Sequence, residues 1–568
     1  MDTRASSSLP AWLPCWLTGY RRAQLPGDLA AGLIVTVMLI PQSLAYAMLA
    51  GLPPETGLYA SILPILAYAL FGTSMTLAVG PVAVISLMTA SALQPLAAPG
   101  SPEYGALAVQ LALLSGLLLV AFGLLRLGFL ASFISQPVVS GFISGSAILI
   151  ALGQAKHLFG VRAGGESAFD AAIQLAISLQ ELNPATAAIG LGTVAFLFAA
   201  RGYLPGLLER TMKRAQAELL ARLAPMFAIV ATTALAAVME LEATAGVSVV
   251  GAVPAGFPSI GMSLPGSETL ANLWLPALLI SLVGFVESVS VARSLGLKRR
   301  QRVRPDRELL GLGAANLASA VSGGFPVTGG FARSVVNFAA GANTPMAGVF
   351  SALLMAGVIA GLTGLFHSLP QAALAATIIV AVSSLFDWAA IREAWRYDRG
   401  DAAALLMTLA AVVALGVEQG IVTGVAASLA LLVWRSSRPH IAVVGRVPGT
   451  EHFRNVERHE VETRPDLVAL RVDESLFFGN AAAVEDRIER SIAGRSGIHR
   501  VLLICSAVNH VDSTALGMLD ELERNLAGRG VELVLAEVKG PVMDRLRDTE
   551  FGARMLKRIY LRAHEAFG

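Results

Sequence analysis

Residues 29–54, 56–102, 104–125 and 127–155 contain no Asp, Glu, Lys or Arg. The hydrocarbon core of a bilayer, about 30 Å thick, is crossed by roughly 20 apolar residues in a helix. A chain with such runs is predicted to be a polytopic α-helical membrane protein. Further apolar runs lie at 182–200, 223–239, 269–286, 309–332, 334–386, 402–417 and 419–434. Runs 56–102 and 334–386 are too long for one helix and must fold back. Breakers stand at Pro64, Gly72, Gly80 and Pro81 in the first, and at Asn343-Thr344-Pro345 and His367-Ser368-Leu369-Pro370 in the second. Allowing for these turns, the chain holds about 14 segments. Those near 80–95 and 326–340 are too short to span alone.

Charge divides the chain. Only 14% of the 568 residues are charged and 55% are hydrophobic, against about 25% charged in a soluble domain. This excludes an ordinary soluble enzyme, a disordered chain and a nucleic-acid binder. Yet 39 charged residues fall within the last 133 positions. The expected organisation is a segment 1–27, a membrane domain 28–435 and a soluble domain 440–568. No cleavable leader is read at the N-terminus, because the first apolar run lacks an A-x-A cleavage pattern. Cys15 and Cys505 suggest neither a disulfide framework nor a metal site. No Walker motif, nucleophile elbow, metal constellation or cofactor motif is present, so an enzyme is not expected.

Basic residues mark cytoplasmic loops. Residues 201–222 carry five Lys and Arg, residues 293–307 carry seven, and Arg392, Arg396 and Arg399 form a third group. Residues 241–271 hold only Glu242 and Glu268 and read as external. With 14 segments, the three basic loops and both termini fall on the cytoplasmic side of the cell membrane. The mixed loop 156–181 fits this least well.

Two apolar segments are interrupted at matching places: Ala78-Val79-Gly80-Pro81-Val82-Ala83, and Gly323-Gly324-Phe325-Pro326-Val327-Thr328-Gly329-Gly330. Each reads as a short extended piece followed by a helix start. Each follows a long segment with a polar centre, Gln42 in the first case and Glu287 in the second. Two halves of seven segments have opposite orientation, because seven is odd. The pattern points to inverted repeats, about 28–240 and 272–435, with a site where two half-helices meet. Half-helix N-termini direct free N–H groups and a positive dipole into such a site, which suits an anion. Arg333, about one turn into the second half-helix, adds fixed charge. The alternative is that both breaks are kinks packed in protein. Glu287 and Arg333 alone lie well inside uncharged runs, and intramembrane charges are usually functional. Glu287 is read as a coupling-ion site, for a proton or for sodium, or as a structural counter-ion to Arg333. Glu418 reads as interfacial and His367 as a loop residue.

In the tail, residues 466–473, 500–506 and 531–536 read as strands, and 480–493, 513–528 and 541–548 as helices. The alternation predicts a small α/β domain. Asp512 is a candidate N-cap for a helix with Ser513 and Thr514 in its first turn. A phosphate on either hydroxyl would favour that helix end. A plain capped helix is the alternative.

These residues resemble the SulP anion permease family across essentially the whole chain. The resemblance rests on Ile40-Pro41-Gln42-Ser43-Leu44-Ala45-Tyr46-Ala47, continuing to Ala50-Gly51-Leu52-Pro53-Pro54 and Gly57-Leu58-Tyr59. It rests also on Gly80-Pro81-Val82-Ala83, on Ala332-Arg333-Ser334, and on a tail with Asp512-Ser513-Thr514-Ala515-Leu516-Gly517 that is similar to a STAS domain. The resemblance implies 14 segments in a seven-plus-seven inverted repeat, core and gate subdomains, a homodimer and elevator-like alternating access. It implies carriage of sulfate, bicarbonate, chloride, oxalate or dicarboxylates. Carried over by residue, the substrate site uses Gln42, Tyr46, Val82, Ala83, Thr328 and Arg333, and the coupling ion uses Glu287. Sodium-coupled bicarbonate relatives tend to carry aspartate where Glu287 stands, which favours a proton here. Ser513 and Thr514 are candidates for regulatory phosphorylation, and the tail is a candidate binder of a cytoplasmic protein or nucleotide. The expectation is proton-coupled sulfate uptake. The alternatives are a bicarbonate or dicarboxylate symporter, an anion exchanger, or a membrane-anchored STAS regulator.

Overall fold

The computed structural model describes residues 14–568 except 133–134, 163–167, 213, 222, 258–260, 262–263 and 496. Most of the N-terminal segment 1–27, two positions of the 201–222 basic loop, and parts of the loops 156–181 and 241–271 thus lie outside the described residues. The chain divides into two compact units, Met1–Ser428 and Leu429–Gly568.

Fourteen principal helices make up the membrane part among the described residues, and seven helices of the chain are long and apolar enough to cross a membrane. The first half holds α1 (Leu25–Leu49), α2 (Leu63–Phe71), the strand β1 (Val79–Gly80), α3 (Ala83–Leu93), α4 (Pro102–Leu124), α5 (Gln136–Phe159), α6 (Pro184–Leu208) and α7 (Ala224–Val238). The second holds α8 (Ser267–Lys298), α9 (Pro305–Val321), the strand β2 (Thr328–Gly329), α10 (Phe331–Ala339), α11 (Met346–Gly361), α12 (Gln371–Ser383), α13 (Arg399–Leu415) and α14 (Val417–Ser436). In each half the third segment is an extended piece followed by a short helix, as the glycines and prolines predict.

Local chemistry fixes the starts. Ser101 accepts the Tyr104 N–H at 3.1 Å ahead of Pro102, and Asn183 accepts the Thr186 N–H at 3.0 Å ahead of Pro184. Such caps satisfy donors that the helix itself cannot. Proline in the first turn loses no hydrogen bond, since its missing N–H is one of those orphans.

Packing sorts the helices into two bundles. In one, α9 packs on α2 and α4, α11 on α1, and α8 on α4. In the other, α5 packs on α12 and α13, and α12 on α6. α14 joins the second bundle, where its Gly420 faces Val412 and its Gly424 faces Thr408 and Val138. The first bundle therefore unites the first four segments of each half, and the second unites the last three.

Two carboxylates at the ends of uncharged runs are fully buried, Asp28 and Glu308. Glu308 accepts the Tyr68 hydroxyl at 2.6 Å and the amides of Thr73 and Ser74 at 2.7 and 3.0 Å, besides the Thr73 hydroxyl. Asp28 accepts the Thr344 amide at 3.0 Å and its hydroxyl at 2.7 Å. Each ties a helix start to a loop more than 200 residues away in the chain. Buried charge is tolerable only with such donors.

The second unit carries a six-stranded sheet in the order β4-β3-β5-β6-β7-β8. The strands are β3 (Ile441–Arg446), β4 (Phe453–Asn455), β5 (Leu467–Val472), β6 (Arg500–Ile504), β7 (Glu532–Ala536) and β8 (Ile559–Tyr560). β5 to β8 run parallel, and β3 is antiparallel to both β4 and β5. Helices α15 (Ala481–Ile492), α16 (Ser513–Gly528) and α17 (Gly540–Arg547) alternate with them. Along β5, Val468 and Leu470 enter one core cluster, while Leu467 and Ala469 enter the other with Phe567. Burial on both faces explains the nearly continuous apolar strands. Cys505 is a buried free thiol, and desolvation pushes it up to about 12.

Candidate functional site

The two extended pieces meet inside the first unit. β1 and β2 pair antiparallel, Val79 opposite Gly329 and Gly80 opposite Thr328. The Gly330 N–H donates to the Ala78 carbonyl at 3.1 Å, extending the pairing into the turn before α10. Ser334 fastens the same junction, since its hydroxyl donates to the Gly330 carbonyl at 2.7 Å and accepts the Ala78 N–H at 2.9 Å. Chain from each repeat thus holds the other's helix start in place.

Both helix starts lack a side-chain cap. Val82 and Gly330 are extended N-cap residues with no side-chain acceptor. Ser86 N–H to the Val82 carbonyl, 2.9 Å, opens the helical ladder of α3, and Ser334 N–H to the Gly330 carbonyl, 3.1 Å, opens that of α10. The N–H groups of Ala83, Val84 and Ile85, and of Phe331, Ala332 and Arg333, precede the first helical acceptor. Both dipoles have their positive ends here.

Arg333 lies at this junction and is 3% exposed. Its Nη1 and Nη2 have no hydrogen-bond partner, and no carboxylate lies within ion-pairing distance among the described residues. The side chain folds back over the strand pair. A Cβ at Gly80 would stand 3.4 Å from both Nη1 and Nη2, and one at Gly330 would stand 3.2 Å from Nη2. Gly80 has φ +153°, which a side chain would strain in any case. The guanidinium borders a cleft with Val35, Leu39, Ile65, Tyr68, Leu77 and Asn337 in its lining. An unpartnered buried guanidinium is costly, and five N–H donors in a planar fork match an oxyanion.

Tyr46 is buried, 8% exposed, on α1. Tyr46 and Ala83 share one core cluster. Gln42, one turn before Tyr46 on α1 and directly after Pro41 within the helix, is half-buried, as is Val82.

Glu287 and Arg333 do not form an ion pair. Glu287 is half-buried and faces a different cavity, lined by Val84, Val283 and Val286 of its own bundle and by Val138, Val139, Phe142, Ile143 and Ile421 of the other. Every other lining residue of that cavity is apolar.

Thr328 is engaged within the protein. Its hydroxyl donates to the Gly284 carbonyl at 2.7 Å and receives the Ser288 hydroxyl at 2.7 Å, while Ser288 accepts the Gly329 N–H at 2.9 Å. This chain fastens β2 to α8, so Ser288 is a positioning residue the sequence reading missed. Asn316 is another, accepting the Val327 N–H and donating to the Val327 carbonyl, both at 2.9 Å. A polar residue seven positions before an extended glycine-rich break is the signal that could have marked it.

Ser513 and Thr514 lie in the second unit, exposed in the first turn of α16. Asp512 caps that helix, its carboxylate accepting the amides of Ala515 and Phe478 at 2.8 Å each. The Ala515 bond comes first among the causes that hold its carboxyl below the ordinary range.

The profile of the sulfate permease family matches residues 25–408, and that of the STAS domain matches residues 458–566. Sulfate transporter 4.1, chloroplastic, of Arabidopsis thaliana is 37% identical over 545 residues, covering 92% of this chain and 77% of the relative. A probable sulfate transporter of Mycobacterium tuberculosis is 35% identical, covering 93% and 92%. Among solved structures, the murine Solute Carrier 26 family member A9 anion transporter in the inward-facing state superposes with a TM-score of 0.88 at 20% identity, covering 100% of this chain and 96% of that one. The transmembrane domain of the cyanobacterial bicarbonate transporter BicA superposes with a TM-score of 0.60 at 21% identity, covering 72% and 98%. The chain is a multi-pass membrane protein that belongs to the sulfate permease family and carries a C-terminal STAS domain.

Proposed function

We propose that the chain is a secondary active inorganic anion transporter that carries out proton-coupled sulfate uptake by elevator-like alternating access. The observation that carries this reading is the buried Arg333 guanidinium, with two unpartnered nitrogens beside two uncapped helix starts. An oxyanion supplies what those donors lack. In this reading Arg333 and the backbone amides of Val82, the N-cap residue, and Ala83, the first helical residue, hold the anion, Gln42 and Tyr46 close the site from α1, and Thr328 shapes it from β2. The relatives named as sulfate transporters support sulfate as the substrate.

Glu287 is the proposed coupling residue. Sodium needs several oxygen ligands, and the cavity in front of Glu287 offers only apolar neighbours. The hydroxyl of Ser288, next to Glu287 in the chain, is engaged with that of Thr328. An ionised carboxylate is uncompensated against such a wall, whereas a protonated one is not. That contrast supports a proton.

The division of the membrane part into two bundles supports the elevator. α1, α3, α8 and α10, which carry the candidate site, belong to one bundle and would move as a body past the other. We further propose a homodimer in the cell membrane with both termini cytoplasmic, a transport domain 28–435 after the segment 1–27, and a tail 440–568 regulated through Ser513 or Thr514 or through a bound cytoplasmic protein or nucleotide.

The test uses purified protein in liposomes. Uptake of labelled sulfate driven by an inward proton gradient supports the reading. Uptake that requires sodium or a trans anion replaces it with a sodium symporter or an exchanger. Absence of any anion flux leaves the STAS-regulator alternative.

A further inference from the structure

The connection between α8 and α9 is a concentrated basic surface among the described residues of the first unit. Arg293, Lys298, Arg300, Arg302, Arg304 and Arg307 are all exposed, within 15 positions. Among the described residues, no carboxylate lies within ion-pairing distance of any of them. The two acids nearest in sequence are turned inward: Asp306 accepts the Gly128 N–H at 2.8 Å, and Glu308 is buried among its four donors. Among the described residues the surface charge is therefore unpaired.

Exposed apolar side chains lie beside these cations. Leu297, next to Lys298, is 78% exposed, and Leu124 and Leu125 at the end of α4 are 71% and 69% exposed. The α4 end belongs to the same face, because the turn that follows it docks on Asp306 through Gly128. Apolar groups adjoining a field of unpaired cations match a lipid surface, with acyl chains against the leucines and phosphates against the arginines. A soluble anion would use only the cations.

We propose that this face binds the headgroups of anionic phospholipids and that the bound lipid acts on the transport site. The loop is fastened to the turn that precedes β1 and to the far end of α10. The Arg304 N–H donates to the Thr73 hydroxyl at 3.3 Å, in the turn that leads into β1. The Arg299 guanidinium donates to the carbonyls of Ala342 and Phe338 and stacks on the Phe338 ring at 4.5 Å, at the far end of α10. A force on the loop is transmitted to the entry of one half-helix and the exit of the other. This proposal rests on membrane insertion and is independent of which anion is carried.

Native mass spectrometry of the full chain in detergent tests it, with phosphatidylglycerol and phosphatidylcholine as the probes. The expected result is retention of phosphatidylglycerol over phosphatidylcholine by roughly tenfold or more, given about one increment of binding per cation near the headgroups. Raising salt should reduce the preference. The combined variant Arg300→Gln, Arg302→Gln, Arg304→Gln should lose most of it. Equal retention of the two lipids, a preference unaffected by salt, or a folded variant that keeps the preference would overturn the proposal. If the variant does not fold, the salt series on the unaltered chain decides. Displacement of the lipid by millimolar inorganic phosphate would assign the cations to a soluble anion and overturn the lipid reading. In proteoliposomes, transport should change with the fraction of phosphatidylglycerol in the unaltered chain and not in the variant.

Discussion

The Arg333 guanidinium lies against the backbone of Gly80, a residue of the other repeat, so that a Cβ there would stand in van der Waals contact, 3.4 Å, with both Nη1 and Nη2. The cation of one half-helix is thus seated at the strand that opens the other. Neither half alone makes this site.

Replacing Arg333 separates binding from folding. Charge-assisted hydrogen bonds contribute about 1.5–3 kcal/mol each, so Arg333→Ala should weaken sulfate binding by about tenfold to a hundredfold. The anion-free protein should melt no lower, because an uncompensated buried charge is removed along with its packing. Thermal unfolding with and without sulfate measures both effects. An unchanged sulfate-induced shift would remove Arg333 from the site.

Thr328→Val keeps the shape of the side chain and deletes its hydroxyl. The variant leaves the Ser288 hydroxyl proton without its acceptor and takes one of two donors from the Gly284 carbonyl, at a cost of about 1–3 kcal/mol of stability. Sulfate affinity should fall much less than in Arg333→Ala. A loss of affinity equal to that of Arg333→Ala, with stability unchanged, would make Thr328 a direct ligand.

The tail offers a pH test. The Ala515 amide, and then the Phe478 amide, hold the Asp512 carboxyl below its ordinary range in the folded state. A depressed folded value means stability that is present above the unfolded value, about 3.9, and is lost as pH falls through the folded one. Hydrogen exchange at the start of α16 should therefore speed up in the unaltered chain as pH drops below about 4, after correction for intrinsic exchange. Asp512→Asn keeps a cap but does not titrate, and its corrected profile should stay flat. Parallel profiles in the two proteins would show that the carboxylate charge does not support the cap.

Much of this architecture is legible from residue order alone, and the exceptions share a cause. The uncharged runs, the two glycine-proline breaks and the α16 boundaries at 513 and 528 are local signals, and the structure follows them. Asp28 and Glu308 were not legible as buried groups. Each stands at the edge of an apolar run, where a carboxylate ordinarily faces water, and each is buried by donors 234 to 316 positions away. The hydroxyl chain from Ser288 through Thr328 to Gly284 spans some 40 positions and was equally hidden. The antiparallel strands β3 and β4 escaped notice because Gly445, Arg446 and the short Phe453–Asn455 segment carry little period-two pattern. What places Glu287 before an apolar wall is likewise tertiary, since Phe142 and Ile421 come from distant helices.

Glu287 carries the central claim, that a proton and the anion are taken up together. Protonation and anion binding should favour each other, because an anion disfavours a second negative charge nearby, and such coupling is reciprocal. Glu287→Gln mimics the protonated acid. The direct measurement is labelled sulfate flux in proteoliposomes containing this variant, with and without an inward proton gradient. Sulfate-for-sulfate exchange should persist, and acceleration and accumulation driven by the gradient should be lost. Full proton-driven accumulation by the variant would contradict the account.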